Sequence, residues 1–449
     1  MSFFSSLKRE QKEAIGLLQI GTLLEYFDLM LYVHMAVLLN ELFFPKTEPH
    51  TAALLTALTF CSTFVLRPFG ALIFGHIGDT FGRKPTVVIT TTMMAMSCVL
   101  MANLPTYAEI GISAAWIVIL CRILQGFSSM GEIAGAQIYV TEITKPPFQY
   151  PVVSFLNVMP DIGGMLALGV ASLVITMGLN WRIAFWVGAV IAIVGSVART
   201  RLRETPQFLD MKRKNTRKTK EEREDNLKKS EKLSRFGKFI KNQTINKKTL
   251  LAYFFIKCGW PICFYLAFIY MNPTLKAVYG YTSEDIIFHN FFLSVVGLFA
   301  SILWAMLSFK IYPLKLLALK AITFGGLSVL LPMLILKAPN PYFIFVLQSL
   351  ILIFPLDSMP AMAIFVKNFH ISKRFTMIVF GFALAHALMY VSTSFGLVYL
   401  TEFFGHYGLW VIILPVTGAF LWGVHHFKNL ERASGSFPIL LGMTGVIGP

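Results

Sequence analysis

Acidic, basic and aromatic side chains recur at helical spacing inside strongly apolar segments of this chain. In the first segment, Glu25, Asp28 and Tyr32 fall at i, i+3 and i+7, so a helix presents them on one face. An ionisable residue inside a membrane span costs about 2.5–3.5 kcal/mol on insertion scales and usually marks a proton or substrate path. We therefore predict that Glu25 and Asp28 are proton-coupling residues.

A second polar stripe lies in the fourth apolar segment, where Arg122, Gln125, Ser129 and Glu132 follow one another at helical spacing. An arginine fork binds a substrate carboxylate through two hydrogen bonds, or holds a neighbouring carboxylate in its charged form until protons compete. The pattern predicts Arg122 and Gln125 as substrate-binding residues and Glu132 as a further proton-coupling residue. The alternative is a permanent arginine–acid pair that only fixes helix packing.

Two charged residues of the second half also fall within apolar segments. Lys257 and Asp357 are predicted to bind substrate, and they are candidates for an ion pair between the two halves. Asp357 lies between Pro355 and Pro360, where a broken helix frees backbone carbonyls for a ligand. His386 is able to carry a proton, with packing as the alternative role.

Aromatic rings complete the set of predicted substrate contacts. Tyr26, Tyr32, Trp260 and Tyr265 lie in the same segments as the charged residues. A ring face attracts a quaternary ammonium group by about 0.5–2 kcal/mol. With Arg122 for a carboxylate, these rings would serve both ends of proline or a betaine. Ordinary packing is the alternative for each ring.

The composition indicates a protein whose main solvent is lipid. Of 449 residues, 56% are hydrophobic and 14% are charged, and a soluble domain cannot hide that much apolar surface. The net charge of +16 is concentrated between residues 199 and 248, as expected for a loop beside anionic lipid headgroups. Because topology and anionic lipid headgroups explain so basic a loop beside membrane spans, we do not expect nucleic-acid binding.

Cysteine placement and the absence of catalytic motifs narrow the class further. The five cysteines lie in apolar segments and lack the spacing of a metal site or a disulfide, so no metal and no cofactor are predicted. The sequence carries no nucleotide-binding loop and no arrangement of a nucleophile with a base. An enzyme is therefore not expected.

Segments of about 20 mostly apolar residues, long enough to span a membrane as a helix, are distributed along the whole chain. They lie near residues 15–40, 51–76, 85–104, 110–140, 150–178, 182–200, 249–271, 285–308, 314–336, 342–366, 376–402 and 406–426. The sequence thus predicts a six-helix bundle at 1–203, a basic cytoplasmic linker at 204–248, a second six-helix bundle at 249–428 and a tail at 429–449.

Lysines and arginines concentrate in alternate short loops. The first of these positive stretches carries Lys8, Arg9 and Lys12, and the third carries Lys145. The positive-inside rule places such loops in the cytoplasm. Both termini and the long linker are therefore predicted to be cytoplasmic.

A loop rich in glycine and charge, GHIGDTFGRK at residues 75–84, follows the second span. Gly75 and Gly82 permit a tight turn and close helix contact, while Asp79 and Arg83 are four residues apart and can pair. The loop resembles the signature loop of the major facilitator superfamily. This resemblance implies that it latches the two halves together on the cytoplasmic side, so these four residues are predicted gating residues.

Further segments resemble the metabolite:proton symporters of that superfamily, and among them most closely the proline/betaine transporters. They read GTLLEYFD at 21–28, RPFG at 67–70, RILQG at 122–126 and LRETPQF at 202–208. Within RPFG, Arg67 lies near a membrane end and is predicted either to gate the path or to snorkel to the surface.

The resemblance implies an all-α fold of twelve transmembrane helices in two pseudo-symmetric six-helix bundles, with a cavity near the bilayer midplane. It also implies a monomer in the bacterial inner membrane that imports a small zwitterion, such as proline or betaine, together with protons. A dicarboxylate or keto-acid proton symporter and a membrane sensor without transport are the alternatives.

Two features depart from the family pattern. The signature loop should recur between the eighth and ninth spans, but residues 308–313 read SFKIYP, without the aspartate and the glycine–arginine pair. A second latch is therefore not expected. The tail at 429–449 carries no heptads, so osmotic activation through a coiled coil is not implied.

Overall fold

The computed structural model describes residues 9–45, 49–80, 83–129, 137–138, 140–141, 144–200, 246–369 and 374–437. Their regular structure is helical, as predicted. The first half contains α1 Arg9–Phe43, α2 Pro49–Val65, α3 Arg67–Thr80, α4 Arg83–Asn103, α5 Tyr107–Ile110, α6 Ile112–Ser128, α7 Gln149–Thr176 and α8 Arg182–Thr200. The predicted linker at 204–248, apart from its last residues, lies outside the described part of the chain.

The second half has more interrupted helices than the first. Its α-helices are α9 Lys247–Lys257, α10 Gly259–Tyr265, α11 Asn272–Tyr279, α12 Ser283–Leu307, α13 Pro313–Leu336, α14 Pro341–Ile353, α15 Met362–Lys367, α16 Arg374–Val391, α17 Leu397–Phe404 and α18 Leu409–Ala433. Wider π-helical turns occur at Leu266–Tyr270 and Ser392–Gly396, and a 3₁₀ turn occurs at Gly405–Gly408. Each predicted span overlaps at least one of the helices of the two halves.

Six helical stretches among the described residues are long and apolar enough to cross a membrane by themselves. They are Ala57–Phe74, Gln149–Thr176, Lys247–Tyr279, Ser283–Leu307, Pro313–Leu336 and Thr376–Ala433. The last has 58 residues and contains two of the predicted spans. Other predicted spans correspond to shorter apolar helices, such as Ile112–Ser128 and Pro341–Ile353.

Local sequence determines where these helices begin and break. The second span divides between α2 and α3 at Arg67-Pro68, because proline lacks the N–H group that a continuous helix needs. At the start of α12, the Thr282 hydroxyl accepts a hydrogen bond from the Asp285 N–H at 3.1 Å, and the Asp285 carboxylate accepts one from the Thr282 N–H at 2.9 Å. This reciprocal pair satisfies donors that have no partner within the helix.

Helix packing forms two bundles joined along two seams. In the first half, α1 packs on α7 and α8, and α4 packs on α6 and α8. In the second half, α18 packs on α9 and α13. The seams between the halves are formed by α7 with α12, and by α16 with α2 and α3.

Glycines permit the closest approaches between helices. A Cβ atom at Gly126 of α6 would lie 1.9 Å from the Thr63 carbonyl oxygen of α2. One at Gly163 of α7 would lie 2.4 Å from the Leu23 carbonyl oxygen of α1. No side chain fits at either distance, so glycine at these positions sets the separation of the helix pairs.

The two halves also touch at both ends of the bundle. Near one end, Lys276 Nζ lies 2.7 Å from a carboxylate oxygen of Glu41, which also accepts a hydrogen bond from Ser283 Oγ at 3.0 Å. At the opposite end, the rings of Tyr150 and Tyr312 meet edge to face at 5.8 Å. Contacts between the halves therefore occur at both ends of the bundle.

The second of these contacts includes the degenerate loop at residues 308–313. The Tyr312 hydroxyl donates a 2.7 Å hydrogen bond to Glu431, whose other carboxylate oxygen accepts one from Asn368 at 3.2 Å. Tyr150, Tyr312 and Glu431 are buried. The loop thus makes a contact across the halves through an aromatic and hydrogen-bonded cluster, which we call the Tyr312 cluster (Tyr150, Tyr312, Asn368 and Glu431).

Candidate functional site

A cavity of about 120 Å³ lies between the two halves. Tyr26 of α1 and Asp161 of α7 line it from the first half, and Lys257 of α9, Trp260 of α10 and Ser301 of α12 line it from the second. A volume of this size holds several water molecules or one small organic molecule. We call it the central cavity.

Lys257 brings a positive charge to the central cavity. Its Nζ donates a 2.8 Å hydrogen bond to Ser358 Oγ and lies 5.3 Å from the ring centre of Phe382. The helix is interrupted directly after it, and a Cβ at Gly259 would lie 2.2 Å from the Leu356 carbonyl oxygen. This close approach brings the irregular 354–361 segment, with Ser358, beside the lysine.

The predicted ion pair between Lys257 and Asp357 is corrected by the structure. Asp357 forms its salt bridge with Lys320 of α13. Lys320 Nζ also donates to the Met359 carbonyl oxygen at 3.1 Å and lies 5.4 Å from the Trp304 ring centre. Lys257, Lys320 and Asp357 all belong to the second half, so neither arrangement joins the halves.

Sequence reasoning missed Lys320, although its position within a predicted span was the signal that could have found it. It also left Asp161 outside the predicted site. Asp161 follows Pro160, a proline inside α7, and borders the central cavity directly. Ser358 was missed as well, because a serine carries no comparable signal in an apolar segment.

The predicted polar stripes of α1 and α6 do meet, but inside the first bundle. Arg122 Nη1 donates to Gln125 Oε1 at 2.6 Å and to the Leu29 carbonyl oxygen at 3.3 Å. Its guanidinium lies 4.3 Å from the ring centre of Tyr32. Arg122, Gln125 and Tyr32 are buried and do not line the central cavity. Their predicted roles in substrate binding stay predictions.

Asp28 and Glu25 are buried on the same helix. Asp28 lies against Gly188 of α8 and beside Cys98 of α4, which also neighbours Arg122. Asp28 therefore points between α4 and α8, away from the central cavity. We call Asp28, Tyr32, Arg122 and Gln125 the first-bundle polar cluster.

Other predicted residues are distributed as follows. Tyr26 and Trp260 line the central cavity, and so does His386, whose Nδ1 lies 3.0 Å from the Phe382 carbonyl oxygen. Tyr265 does not line it, because its ring packs edge to face on Phe60 at 6.2 Å. The predicted contact between Tyr265 and substrate stays a prediction.

Arg67 does not snorkel. It is buried, with its guanidinium 4.4 Å from the ring centre of Phe64 at the break in the second span. Of the signature-loop residues, Gly75 and Asp79 lie in α3 and Arg83 begins α4. The remaining two predicted residues, Gly82 and Glu132, lie outside the described residues.

Comparison with known sequences identifies relatives over part of the chain. The family described as "Sugar (and other) transporter" matches residues 17–368. A proline/betaine transporter of Salmonella typhimurium is 34% identical over 204 residues, which cover 44% of this chain and 41% of that protein. A glycine betaine/proline/ectoine/pipecolic acid transporter of Dickeya dadantii is 29% identical over 280 residues, covering 61% of this chain and 54% of that protein. The chain thus spans about half or less of these relatives.

Comparison with solved structures covers nearly the whole chain. The proton:xylose symporter XylE of Escherichia coli, bound to 6-bromo-6-deoxy-D-glucose, superposes with a TM-score of 0.67. The match covers 94% of this chain and 95% of that chain at 16% sequence identity. At this identity the likeness concerns the fold.

Fold and family together define a multi-pass membrane transporter of the major facilitator type, not an enzyme. The chain belongs to the sugar (and other) transporter family, and within it resembles the proline/betaine transporters. The predictions of fold class and family are confirmed. Such transporters bind small molecules and ions and work within the bilayer.

Proposed function

We propose that this protein is a proton-coupled symporter that carries a small zwitterion, such as proline or a betaine, through the central cavity. The observation that carries the proposal is the charge balance of the cavity wall. Asp357 is matched by Lys320. Apart from that pair, the lining residues include one lysine, Lys257, and one acid, Asp161. One positive and one negative group complement a zwitterion.

Each end of such a substrate has a matching chemistry. The Lys257 ammonium attracts a carboxylate, and Ser358 beside it can donate a further hydrogen bond. At the other end, Asp161 with the rings of Tyr26 and Trp260 offers a negative charge and aromatic faces to a quaternary or secondary ammonium group. The names of the relatives, which transport proline and betaines, support the same class.

Proton coupling is assigned to the first-bundle polar cluster and not to the central cavity. Asp28 and Arg122 are both buried beside Cys98, and the Arg122 guanidinium is held by Gln125 and Tyr32. The helix α1 carries both Asp28 and Tyr26, which lines the cavity only two residues earlier. A change in the protonation of Asp28 would therefore act on the substrate site through a shared helix, as alternating access requires.

The alternative function, a dicarboxylate symporter, requires a second cationic side chain that contacts the substrate. Lys320 lies beside Asp357 of the cavity wall, but it is engaged by that carboxylate and by the Met359 carbonyl. A dianion would also face the charge of Asp161 across the cavity. These two observations favour a zwitterion.

The test is uptake of radiolabelled proline and glycine betaine into proteoliposomes, with and without an inward proton gradient. We expect accumulation driven by the gradient. Lys257→Met should abolish uptake, while Lys310→Met, an exposed lysine, should leave it unchanged. Asp28→Asn should lose gradient-driven accumulation but retain exchange of labelled for unlabelled substrate.

Two results would overturn the proposal. Full uptake by Lys257→Met would show that Lys257 does not bind the substrate. Accumulation of dicarboxylates but not of proline or betaine would establish the alternative function instead.

A further inference from the structure

A second, smaller cavity of about 70 Å³ adjoins the central cavity. The two share Tyr26, Pro160, Asp161, Trp260 and Ser301 as lining residues. Beyond this shared wall their chemistry differs. The central cavity continues towards Lys257, Asp357 and Ser358, whereas the smaller one continues into side chains that carry no charge.

The walls of the smaller cavity are mainly hydrocarbon and aromatic. They are formed by Met30 of α1, Phe264 of α10, Phe268 of the π-helical turn, Leu298 of α12 and Leu352 of α14. We call this space the apolar compartment.

The polar atoms of the apolar compartment are few and engaged. Ser294 lines it, but its hydroxyl donates a 2.7 Å hydrogen bond to the Phe291 carbonyl oxygen of its own helix. Asp161 and Ser301 lie where the compartment meets the central cavity. A sugar or other polyol would therefore have to bury hydroxyl groups against side chains that offer few partners, which is costly.

We propose that the apolar compartment receives the hydrocarbon part of the zwitterionic substrate and thereby sets which zwitterions are carried. This rests on the function proposed above. With the carboxylate at Lys257 and the ammonium group beside Asp161, a ring or alkyl group attached next to the ammonium points into the compartment.

The volume limits the size of that group. At about 10–15 Å³ for each water-sized sphere, the compartment holds roughly five to seven of them, so it has room for the methylene groups of a five- or six-membered ring. Each methylene moved from water into an apolar site tightens binding about fourfold. Affinity should therefore rise with ring size and fall once the compartment is full.

Gly297 of α12 provides a means to shrink the compartment without touching the charged groups. It lines the apolar compartment but not the central cavity. A Cβ there would meet only Leu352 carbon atoms, at 3.8 and 4.0 Å, which are ordinary contacts. Gly297→Val therefore fills space that Leu352 borders, and Gly297→Ala is a milder version of the same change.

The experiment uses three cyclic imino acids that differ by one methylene each: azetidine-2-carboxylic acid, proline and pipecolic acid. Their binding to the purified full-length protein is measured by calorimetry, and their uptake by competition with labelled proline. In the unaltered protein we expect affinity to increase about fourfold per methylene. For Gly297→Val, we expect the affinity for pipecolic acid to fall at least tenfold. The affinity for azetidine-2-carboxylic acid should change by less than twofold.

Gly326→Val is the matched control, since a Cβ at this exposed position of α13 meets nothing within 4 Å. It should leave the order of affinities unchanged. If Gly297→Val does not fold, Gly297→Ala should show the same order with a smaller shift.

The outcomes separate this proposal from the one on which it rests. If a folded Gly297 variant lost affinity equally for all three compounds, or did not change, the proposed role of the apolar compartment would be refuted. If affinity rose with ring size but none of the compounds was taken up, the role of the apolar compartment would be supported and the proposed transport function refuted. No binding of any of the three compounds would overturn both.

Discussion

Removal of Lys320 should destabilise the protein strongly, because it leaves Asp357 without its buried partner. The side chain of Lys320 is 1% exposed and that of Asp357 is 17% exposed. Breaking a buried pair by deleting one partner costs about 3–5 kcal/mol. The destabilisation by Lys320→Met should lie near the lower end of this range, since Asp357 borders the central cavity and can be hydrated there. Asp357→Asn should fall near the upper end, since Lys320 is enclosed.

The double variant Lys320→Met/Asp357→Asn separates charge pairing from packing. It removes both charges of the pair, and its loss should be only about 1–2 kcal/mol, for the Met359 carbonyl that loses the Lys320 donor. We therefore expect the double variant to be more stable than either single variant, which is a strongly non-additive result.

The assay is thermal unfolding of the detergent-purified protein with a thiol-reactive fluorophore. All five cysteines are buried, so labelling reports unfolding. The expected order of apparent melting temperatures is unaltered protein, double variant, Lys320→Met, Asp357→Asn. If the stability losses of the two single variants simply added in the double variant, Lys320 and Asp357 would not stabilise each other, and this prediction would be wrong.

Two further variants test the helix packing and the Tyr312 cluster. Gly126→Ala should cost about 1–3 kcal/mol, since its Cβ would lie 1.9 Å from a backbone oxygen of α2. Gly418→Ala, with nothing within 4 Å, is its control in the same melting assay, and equal losses would refute the packing argument. Tyr312→Phe keeps the ring but loses the 2.7 Å hydrogen bond to Glu431, worth about 1.5–3 kcal/mol. It should speed alkylation of a cysteine placed at Ser154, which is buried in the same helix as Tyr150; an unchanged rate would show that this hydrogen bond does not help to hold the halves in contact.

The fold was largely predictable because the bilayer imposes a length and a composition on each span. Hydropathy placed the apolar segments, and a helix occurs within each of them. The break at 354–361 was expected from Pro355 and Pro360, but nothing in the sequence predicted the break near residue 258. That break depends on how closely neighbouring backbones approach, as at Gly259 and Leu356. Such distances are set by tertiary packing.

The candidate site was predictable only in part. Helical periodicity correctly grouped Tyr32 with the face that meets Arg122, but it could not say that this face points into the bundle and not into the cavity. It equally could not choose between Lys257 and Lys320 as the partner of Asp357. Both lysines lie in spans of the same half, and the choice depends on how those helices are rotated about their axes.

The contacts that close the two ends of the bundle differ in how much water reaches them. In the ion pair of Glu41 and Lys276, the side chains are 50% and 53% exposed, whereas Tyr312 and Glu431 are buried. Dissolved salt screens exposed charges over about 8 Å at physiological ionic strength and about 3 Å at 1 M. The attraction between Glu41 and Lys276 therefore weakens as ionic strength rises, while the buried contact at Tyr312 is little affected. The balance between the contacts at the two ends is thus tied to the salt content of the medium that bathes Glu41.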